Sequence, residues 1–356
     1  MKIREYGRSK GFFAVMAAVA LVMALIGILN LPSTPYTGFE MTADSRAFRV
    51  DPDGPAAKAG IRESDEVVQV GVVPTDRLHE LAKQNRPKIG EVLRVSVLRD
   101  SVRNEYSILQ TGLPARVAIE KWAANLMALA MLALGLVVFW CRPSKPSSLY
   151  FLGNLCFALA LTTPPYFQHH MLRTLVATFS IFFLTMGLAF LLHLSVVFPK
   201  PKPLLRETNI VESLIYLPAQ IMAVSFLALR LFEPKADLLV NLVLHQIFAL
   251  VVLACVGLSL AAAAHSFWKA GPADRSQGLG WLLGGFVLGS IPPAAGMFMG
   301  IFLPNSPLPG QSYYSLAPIL ASLGFGWALW KSIKGPAKVR KENPVRPIVF
   351  KKASGQ

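Results

Sequence analysis

Charged residues are scarce in this chain of 356 residues: they form 15% of the sequence, against about 25% in an average soluble protein. Cysteine is also rare, and the three cysteines fall in or beside apolar stretches, so no disulfide framework is predicted. No His-Glu-x-x-His pair and no CxxC motif occurs, which removes two common metal-site patterns. We therefore predict no metal site, no cofactor and no catalytic residues.

Long apolar runs take up most of the sequence, and the mean hydropathy is +0.48. About 20 apolar residues, each rising 1.5 Å along a helix, cross a hydrocarbon core of roughly 30 Å. The runs predict an α-helical polytopic membrane protein with about eight transmembrane helices. The predicted spans are residues 11–31, 122–140, 149–167, 174–198, 210–232, 238–268, 279–303 and 312–330. The first is interpreted as an uncleaved signal anchor, because no Ala-x-Ala site follows it.

The distribution of Lys and Arg predicts the orientation of these spans. The net charge of +15 resides in residues 1–10, in alternate connections between the spans and in residues 331–356. Because Lys and Arg concentrate in cytoplasmic segments, both termini are predicted to be cytoplasmic. Residues 36–113 then lie outside the cytoplasm. The charge forms no single basic surface, so nucleic acid is not a predicted partner, whereas the basic tail is expected to contact membrane lipid.

A polar segment at residues 32–117 interrupts the apolar runs and holds 12 basic and 12 acidic residues. The stretches GFEMTAD, AFRVDP, EVVQVGVV and EVLRVSVLRD alternate as strands do, and TDRLHELAKQ has the pattern of a helix. Residues 51–61 predict a turn, a short Ala-rich helix with proline near its start, and a glycine stop. The segment therefore predicts one inserted α+β domain.

Within this segment, the stretch DGPAAKAGIRESDEVVQVG at residues 53–71 resembles the signature of bacterial PDZ domains. The loop Tyr36-Thr37-Gly38-Phe39 resembles the carboxylate-binding loop of that family. One departure is Ser64, which stands where the family usually has glycine. The resemblance implies a PDZ-like domain that binds an extended peptide by strand addition.

The PDZ resemblance also implies where a peptide would bind. Backbone amides at Gly38 and Phe39 would receive a carboxylate, and a helix near residues 76–84 would form the other wall of the groove. His79 on that helix is either a specificity residue or a solvated surface position. The implied peptide-binding residues are Tyr36, Thr37, Gly38, Phe39, Met41, Leu78, Leu81 and Ala82.

Four stretches of the later spans form a second pattern, CRPSKPSSLYFLGN, HLSVVFP, ADRSQGLGWLLGGFVLGSIPP and LAPILASLGFGWALWKSIK. They look like the membrane sensor region of bacterial multi-span histidine kinases, nearest to the competence-type quorum-sensing kinases. Residues 331–356 contain no phospho-acceptor helix, ATP lid or GxGxxG motif. What the resemblance implies is therefore sensing without phosphoryl transfer, and we do not predict an enzyme.

Polar residues inside a bilayer are costly to bury and are functional candidates for that reason. We single out His193, Asn241 and His245. Asn241 and His245 lie four residues apart on one helix face, where they form either a ligand pocket or interhelical hydrogen bonds. A haem held by His193 and His245 is a weaker alternative. In the seventh span, glycines at four-residue spacing with Pro292 and Pro293 indicate close packing or a kink that shifts on signalling.

Two functions follow from these observations. The first is a signal receptor of the bacterial inner membrane, which recognises an extracytoplasmic peptide or envelope signal and reports to a separate cytoplasmic protein through residues 331–356. The second is a PDZ scaffold that tethers an envelope protein or protease to the membrane. An empty spacer domain is a third possibility. The corresponding division is residues 1–10, 11–31, 36–113 (PDZ-like), 122–330 (seven-helix bundle) and 331–356.

Overall fold

The computed structural model of the protein is mostly helical, with a small domain of short strands between its first and second long helices. It describes residues 3–42, 45–77, 80–81, 84, 87–165, 167, 169–200, 202, 209–232, 238–272, 275–302 and 316–334. The helices of these residues are α1 (Ile3–Asn30), α2 (Pro55–Ala59), α3 (Ala115–Cys141), α4 (Lys145–Leu161), α5 (His170–Val197), α6 (Asn209–Phe232), α7 (Leu238–Lys269), α8 (Gly280–Phe302) and α9 (Pro318–Lys334). The strands are β1 (Pro35–Tyr36), β2 (Glu40–Met41), β3 (Ala47–Phe48), β4 (Glu66–Val70), β5 (Val73–Pro74), β6 (Val92–Arg99), β7 (Val102–Leu109) and β8 (Thr111–Gly112).

Five helices are long and apolar enough to cross a membrane, judged by length and composition over the described residues. They are Lys10–Ser33, Ala115–Cys141, His170–Val197, Val243–Lys269 and Gly280–Met299. The protein is therefore helical, with several helices suited to a membrane location. The apolar part of α6 is shorter, Glu212–Ala228, and α4 and α9 have 17 residues each. Each long helix overlaps one predicted span, but the count of eight spans stays a prediction.

The long helices α1 and α3 to α9 form the helical bundle. In it, α4 packs between α3 and α5, and α8 packs along α9. The α8–α9 contact is close because glycines face each other: a Cβ built on Gly285 would lie 2.5 Å from the carbonyl oxygen of Leu320, and one on Gly324 would lie 2.7 Å from that of Trp281. Phe286 and Phe325 pack beside these glycines with ring centroids 5.6 Å apart. The predicted close packing of the seventh span is thus present between α8 and α9.

The inserted domain comprises residues 35–112 and holds β1 to β8 with α2. Strands β5, β4, β6 and β7 form an antiparallel sheet in that order, while β1 pairs with β8 and β2 pairs with β3. The β1–β8 pair joins the two ends of the domain, so that α1 and α3 leave it side by side. Buried apolar side chains from the strands and α2 form its core: Ala47, Ala56, Ile61, Val67, Val95, Val97 and Ile108.

The strand and helix predictions for this domain agree with the structure at most positions. Strands β2, β3, β4 and β6 and helix α2 fall in the stretches that predicted them, but the single strand predicted for EVVQVGVV is β4, a turn at residues 71–72 and the start of β5. The pattern does not indicate β7, because its VRNEYSIL sequence carries exposed polar residues among the apolar ones. Of the helix predicted near residues 76–84, Glu80 and Leu81 are helical, and most of the rest lies outside the described residues.

A buried ion pair joins the turn after α2 to the end of β6. The Arg99 Nε and Nη2 donate to the two carboxylate oxygens of Asp65 at 2.8 and 2.6 Å, and Nη2 also donates to the Gly60 carbonyl at 2.8 Å. The Arg62 amide donates to Asp65 Oδ2 at 2.8 Å. The Asp65 side chain is 5% exposed. Asp65 and Arg99 together therefore tie the turn at residues 60–65 to the end of β6.

The stability of the inserted domain is expected to decrease at low pH because Asp65 becomes protonated. Burial by itself raises the pKa of this carboxyl, but the hydrogen bonds from Arg99 and the Arg62 amide outweigh burial and leave its pKa below the usual value. A carboxyl with a lowered native pKa stabilises the fold above its unfolded pKa of about 4, and this stabilisation is lost as the pH falls through the native value. We expect the difference in opening free energy between wild type and Asp65→Asn to be constant above about pH 5 and to shrink below about pH 4. Hydrogen exchange of the β4 amides at a series of pH values measures this difference, and a constant difference down to about pH 3 would contradict the prediction.

Ser64 occupies a backbone conformation that favours glycine. Its φ is +68°, in the left-handed region, and its amide donates to the Ala47 carbonyl at 2.9 Å. A side chain in this region costs roughly 1–2 kcal/mol. We expect Ser64→Gly to stabilise the domain by about 0.5–1 kcal/mol, since glycine also loses more entropy on folding.

The matched control for Ser64→Gly is Glu63→Gly, at an exposed neighbour without positive φ. That change is expected to destabilise the domain by about 0.5–1 kcal/mol, because it adds flexibility and relieves no strain. Exchange rates of the β4 and β6 amides report both changes. If the two glycine variants shift the rates in the same direction, strain at Ser64 is not the cause.

Candidate peptide groove and polar sites of the bundle

The loop between β1 and β2 is held against the start of α2. The Asp51 amide donates to the Gly38 carbonyl at 2.8 Å, and the Ala56 amide donates to the Thr37 carbonyl at 3.1 Å. Gly38 has a φ of +87°, and a Cβ at this position would lie 2.9 Å from Pro55 Cδ. Glycine is therefore required at residue 38 both by the backbone conformation and by the close approach of α2.

This loop has two backbone amides that donate no hydrogen bond, and they lie beside an unpaired strand edge. Among the described residues, neither the Gly38 amide nor the Phe39 amide donates a hydrogen bond. Strand β2 pairs with β3 on one side and with no other described strand. The two amides and the second edge of β2 are the groups that an extended chain ending in a carboxylate would use.

The side chains of the predicted peptide-binding residues contact the domain itself. Tyr36 donates from its hydroxyl to Asp51 Oδ2 at 2.9 Å, and Thr37 donates to Gln110 Oε1 at 3.1 Å. Burial and the Asp51 carboxylate raise the pKa of Tyr36 above its usual range. Phe39 and Met41 are partly buried against the domain core. These four side chains position the loop and β2, and their contact with a peptide stays a prediction.

The other predicted wall of the groove is described in part. Leu78 and Ala82, as well as His79, lie outside the described residues, whereas Leu81 is half-buried. Gln84 ends this wall: its Nε2 donates to the Val70 carbonyl at 3.0 Å, and its own carbonyl accepts from Arg173 Nη2 at 2.6 Å. Because Arg173 lies in the first turn of α5, Gln84 joins the inserted domain directly to the helical bundle.

At the opposite end of α5, His193 belongs to a polar cluster that links three helices. His193 Nδ1 lies 2.7 Å from the Tyr216 hydroxyl, and its Nε2 lies 3.9 Å from Glu212 Oε2. Glu212 accepts from Lys145 Nζ at 2.6 Å, so the cluster runs from α5 through α6 to α4. Lys202 fixes the following connection nearby, since its Nζ donates at 3.0 Å to the Ser195 and Ala262 carbonyls and to Ser266 Oγ.

The other two intramembrane candidates are in α7. Asn241 lies in α7, but its side chain falls outside the described residues. The His245 ring packs on Phe226 of α6 with centroids 5.2 Å apart. His193 meets α6 at Tyr216, so the two histidines contact this helix about 15 Å apart. That separation is too large for two axial ligands of one haem iron, and the described residues contain no group of three His, Cys, Asp or Glu suited to a metal ion.

A second buried network joins α4 to α9, and the sequence pattern did not indicate it. The Tyr150 hydroxyl donates to the Ser322 carbonyl at 2.8 Å, Ser322 Oγ donates to Asn154 Oδ1 at 2.6 Å, and Asn154 Nδ2 donates to the Tyr150 carbonyl at 2.8 Å. Asn154 stands out in sequence as a polar residue in a span, but its partner lies 168 residues away.

No protein-family model and no curated protein matches this chain.

Proposed function

We propose that this protein is a receptor of the bacterial inner membrane whose inserted domain, a PDZ-like module on the outer side, captures the C-terminus of an extracytoplasmic peptide. The observation that carries the proposal is the pair of open amides at Gly38 and Phe39 beside the free edge of β2. Strand addition supplies main-chain hydrogen bonds along β2, while the amides receive the terminal carboxylate. The family resemblance of residues 53–71 supports the same geometry.

The hydrogen bonds within this loop favour an anionic ligand. Its carbonyls at Thr37 and Gly38 accept hydrogen bonds from the amides of Ala56 and Asp51, so the amides of Gly38 and Phe39 are the loop groups left for a ligand. Hydrogen bonds to a charged group are roughly twice as strong as neutral ones. A free carboxylate is therefore the group that this loop would favour over a neutral amide end.

In this proposal, Gln84 transmits the effect of peptide binding to the helical bundle. Its carbonyl accepts from Arg173, so a ligand that moves the groove wall would also act on the first turn of α5. At the far end of α5, His193 contacts α6 through Tyr216. A separate cytoplasmic protein bound through residues 331–356 would receive the signal, and this part of the proposal rests on the basic sequence of that segment.

Peptide capture is tested on the full chain in lipid nanodiscs. The probe is a random hexapeptide pool with free C-termini, compared with the same pool amidated at the C-terminus. We expect the free-acid pool to bind at least about tenfold more tightly, because the charged hydrogen bonds to the loop are lost on amidation. Equal binding of the two pools would refute carboxylate recognition.

The variant that tests the loop is Gly38→Ala, with Gly112→Ala as its control. Alanine at residue 38 would place Cβ 2.9 Å from Pro55 and strain a positive φ, whereas a Cβ on Gly112 meets its nearest neighbour, Ile89, at 4.0 Å. We expect Gly38→Ala to weaken binding of the free-acid pool by at least about tenfold and Gly112→Ala to leave it unchanged. Unchanged exchange of the β6 amides in both variants shows that the domain is still folded.

The receptor and the scaffold differ in what α5 does when peptide binds. In a receptor, peptide changes hydrogen exchange in the first turns of α5, and Arg173→Gln removes that change while peptide affinity is kept. In a scaffold, peptide binds without any response in α5. The latter result would replace signalling by tethering of an envelope protein or protease.

A further inference from the structure

The exposed large apolar side chains of the inserted domain gather at one end of its sheet. Over the described residues of the domain, these side chains are Val72, Ile89, Val92, Val102 and Leu109. Val102 stands apart, beside the turn that joins β6 to β7, whereas the other four lie where β6 begins and where β4 and β7 end. Single exposed apolar residues are normal on a protein surface, but several at one end indicate a contact surface.

On β6 and β7, the face of the sheet opposite the core changes from polar to apolar towards this end. Val95, Val97 and Ile108 belong to the domain core, so their neighbours in sequence point to the opposite face. The cross-strand pairs on that opposite face are, in order along the strands, Ser96 with Glu105, Arg94 with Ser107, and Val92 with Leu109. The last pair therefore places two apolar side chains side by side at the end of a polar series.

Leu109 and Ile89 lie beside the connection that leads back to the helical bundle. Strand β7 ends at Leu109 and α3 begins at Ala115, so only residues 110–114 separate them. A Cβ built on Gly112 would lie 4.0 Å from Ile89 Cδ1, which places Ile89 next to β8. This corner of the apolar end therefore lies close to the first turn of α3.

Val72 lies at a second corner of the apolar end, close to α5. It follows Gly71 in the turn between β4 and β5, and a Cβ built on Gly71 would lie 3.2 Å from Gln84 Oε1. The Gln84 carbonyl accepts from Arg173 in the first turn of α5. Both α3 and α5 are long and apolar enough to cross a membrane. The apolar end of the sheet is therefore the part of the domain nearest to a bilayer around these two helices.

The level of this end relative to the lipid follows from α3. Residues 115–121 of α3 contain three charges, and an uncharged run then begins at Trp122 and continues to Cys141. Seven residues of helix rise about 10 Å, and the headgroup layer on each side of the hydrocarbon core is roughly 5–8 Å thick. The end of the sheet therefore lies at about the level of the headgroups, near enough for apolar side chains to insert below them.

Lipid is the occupant that the fold favours for this surface. Helices α1 and α3 leave the domain side by side at the β1–β8 pair, so they hold it against the bilayer. A short tether gives the contact with lipid a high effective concentration, which a freely diffusing protein partner lacks. Exposed Val, Ile and Leu side chains also gain free energy when they leave water for the acyl region.

We propose that Val72, Ile89, Val92 and Leu109 form one docking surface that inserts into the boundary between the headgroups and the acyl chains of the membrane. The inserted domain is then held by lipid at this end as well as by its two helices and by its contact with α5. None of the four residues is among the predicted peptide-binding residues, so the docking surface does not depend on peptide capture.

The test uses the full chain in nanodiscs whose lipids carry bromine near the start of the acyl chain, where bromine quenches only a fluorophore that reaches the bilayer. Cys141→Ser first removes the exposed cysteine. A bimane is then attached after Leu109→Cys or, as the matched control, after Val102→Cys. The two positions are 54% and 59% exposed on the same strand, but they lie about 24 Å apart along it.

We expect brominated lipid to quench the label at residue 109 at least about threefold more than the label at residue 102, and iodide in the water to show the reverse order. Quenching of both labels by iodide to the same extent would mean that this end of the sheet faces water. A label at residue 109 that neither quencher reaches would mean that protein covers the surface. Either result would overturn the proposal.

Leu109→Glu tests whether the four residues act together, with Val102→Glu as its control. The label is now attached after Val72→Cys, at a position that is 86% exposed. A carboxylate at the acyl boundary is costly, so we expect Leu109→Glu to reduce lipid quenching at residue 72 at least about threefold and Val102→Glu to leave it unchanged. Unchanged hydrogen exchange of the β4 amides shows that the domain is folded, and Leu109→Ser replaces Leu109→Glu if it is not. Persistent quenching at residue 72 would overturn the proposal, because the four residues would then not form one surface.

Discussion

Asp65→Asn is expected to lower the stability of the inserted domain by roughly 2–3 kcal/mol. The change removes the charge that pairs with Arg99 and places an amide hydrogen where the guanidinium also donates. Removing one partner of a fully buried pair typically costs about 3–5 kcal/mol, and the value here is lower because Arg99 is 23% exposed. Hydrogen exchange of β4 and β6 amides in the full chain should become roughly 30- to 150-fold faster.

An exposed ion pair in the same domain provides the control. Glu40 lies 3.5 Å from Arg49, and both side chains are well exposed. Glu40→Gln is expected to change stability by less than about 0.5 kcal/mol, as for most surface ion pairs. If the two variants accelerate exchange equally, the buried contacts of Asp65 do not hold the domain together.

Asp65 also shows what the sequence can and cannot indicate about the inserted domain. Asp65 lies in the PDZ-like stretch, directly before the predicted strand EVVQVGVV, but its partner Arg99 lies 34 residues later. The pairing depends on β6 lying beside β4, which a local pattern does not specify. Strand β7 was missed for a related reason: a two-residue turn at Asp100 and Ser101, both with positive φ, pairs it with β6, and neither residue is the glycine that usually signals such a turn.

In the helical bundle, the positions of the helices follow from composition, whereas the polar contacts between them do not. A run such as residues 174–198 predicts α5 because nothing in it interrupts a helix. Glu212 lies on the next helix and could be recognised as polar, but its contact with Lys145 joins residues 67 positions apart. The same limit applies to Tyr150 and Ser322, 172 residues apart. Hydrophobic periodicity fixes which face is apolar and leaves the partner helix open.

For the peptide groove, the resemblance identified the loop but not how its side chains are used. Tyr36 and Thr37 were expected to contact a peptide, and the structure adds that each is hydrogen-bonded to the domain itself. Gly38 was expected because of its place in the loop, and the structure supplies the reason, its approach to Pro55. Whether a peptide binds at these residues stays a prediction.

Gly285→Ala is expected to force α8 and α9 apart and to lower the stability of the bundle by about 1–3 kcal/mol. A Cβ at this position would lie 2.5 Å from the Leu320 carbonyl oxygen and 3.1 Å from Gly324 Cα, and both neighbours are backbone atoms that cannot rotate away. In a membrane, helices associate through this kind of close packing, because the apolar lipid provides no hydrophobic drive between them. The midpoint of thermal unfolding of the full chain in detergent is the measurement, with a decrease of several degrees expected.

Gly284→Ala is the matched control, because it lies one residue away on the same helix and a Cβ there meets nothing within 4 Å. It is expected to leave the midpoint unchanged or to raise it slightly, since alanine favours a helix over glycine by about 1 kcal/mol. Gly289→Ala should behave like Gly285→Ala, because its Cβ would lie 2.5 Å from the Ala321 nitrogen. Equal midpoints for the Gly284 and Gly285 variants would mean that α8 and α9 do not pack through these glycines.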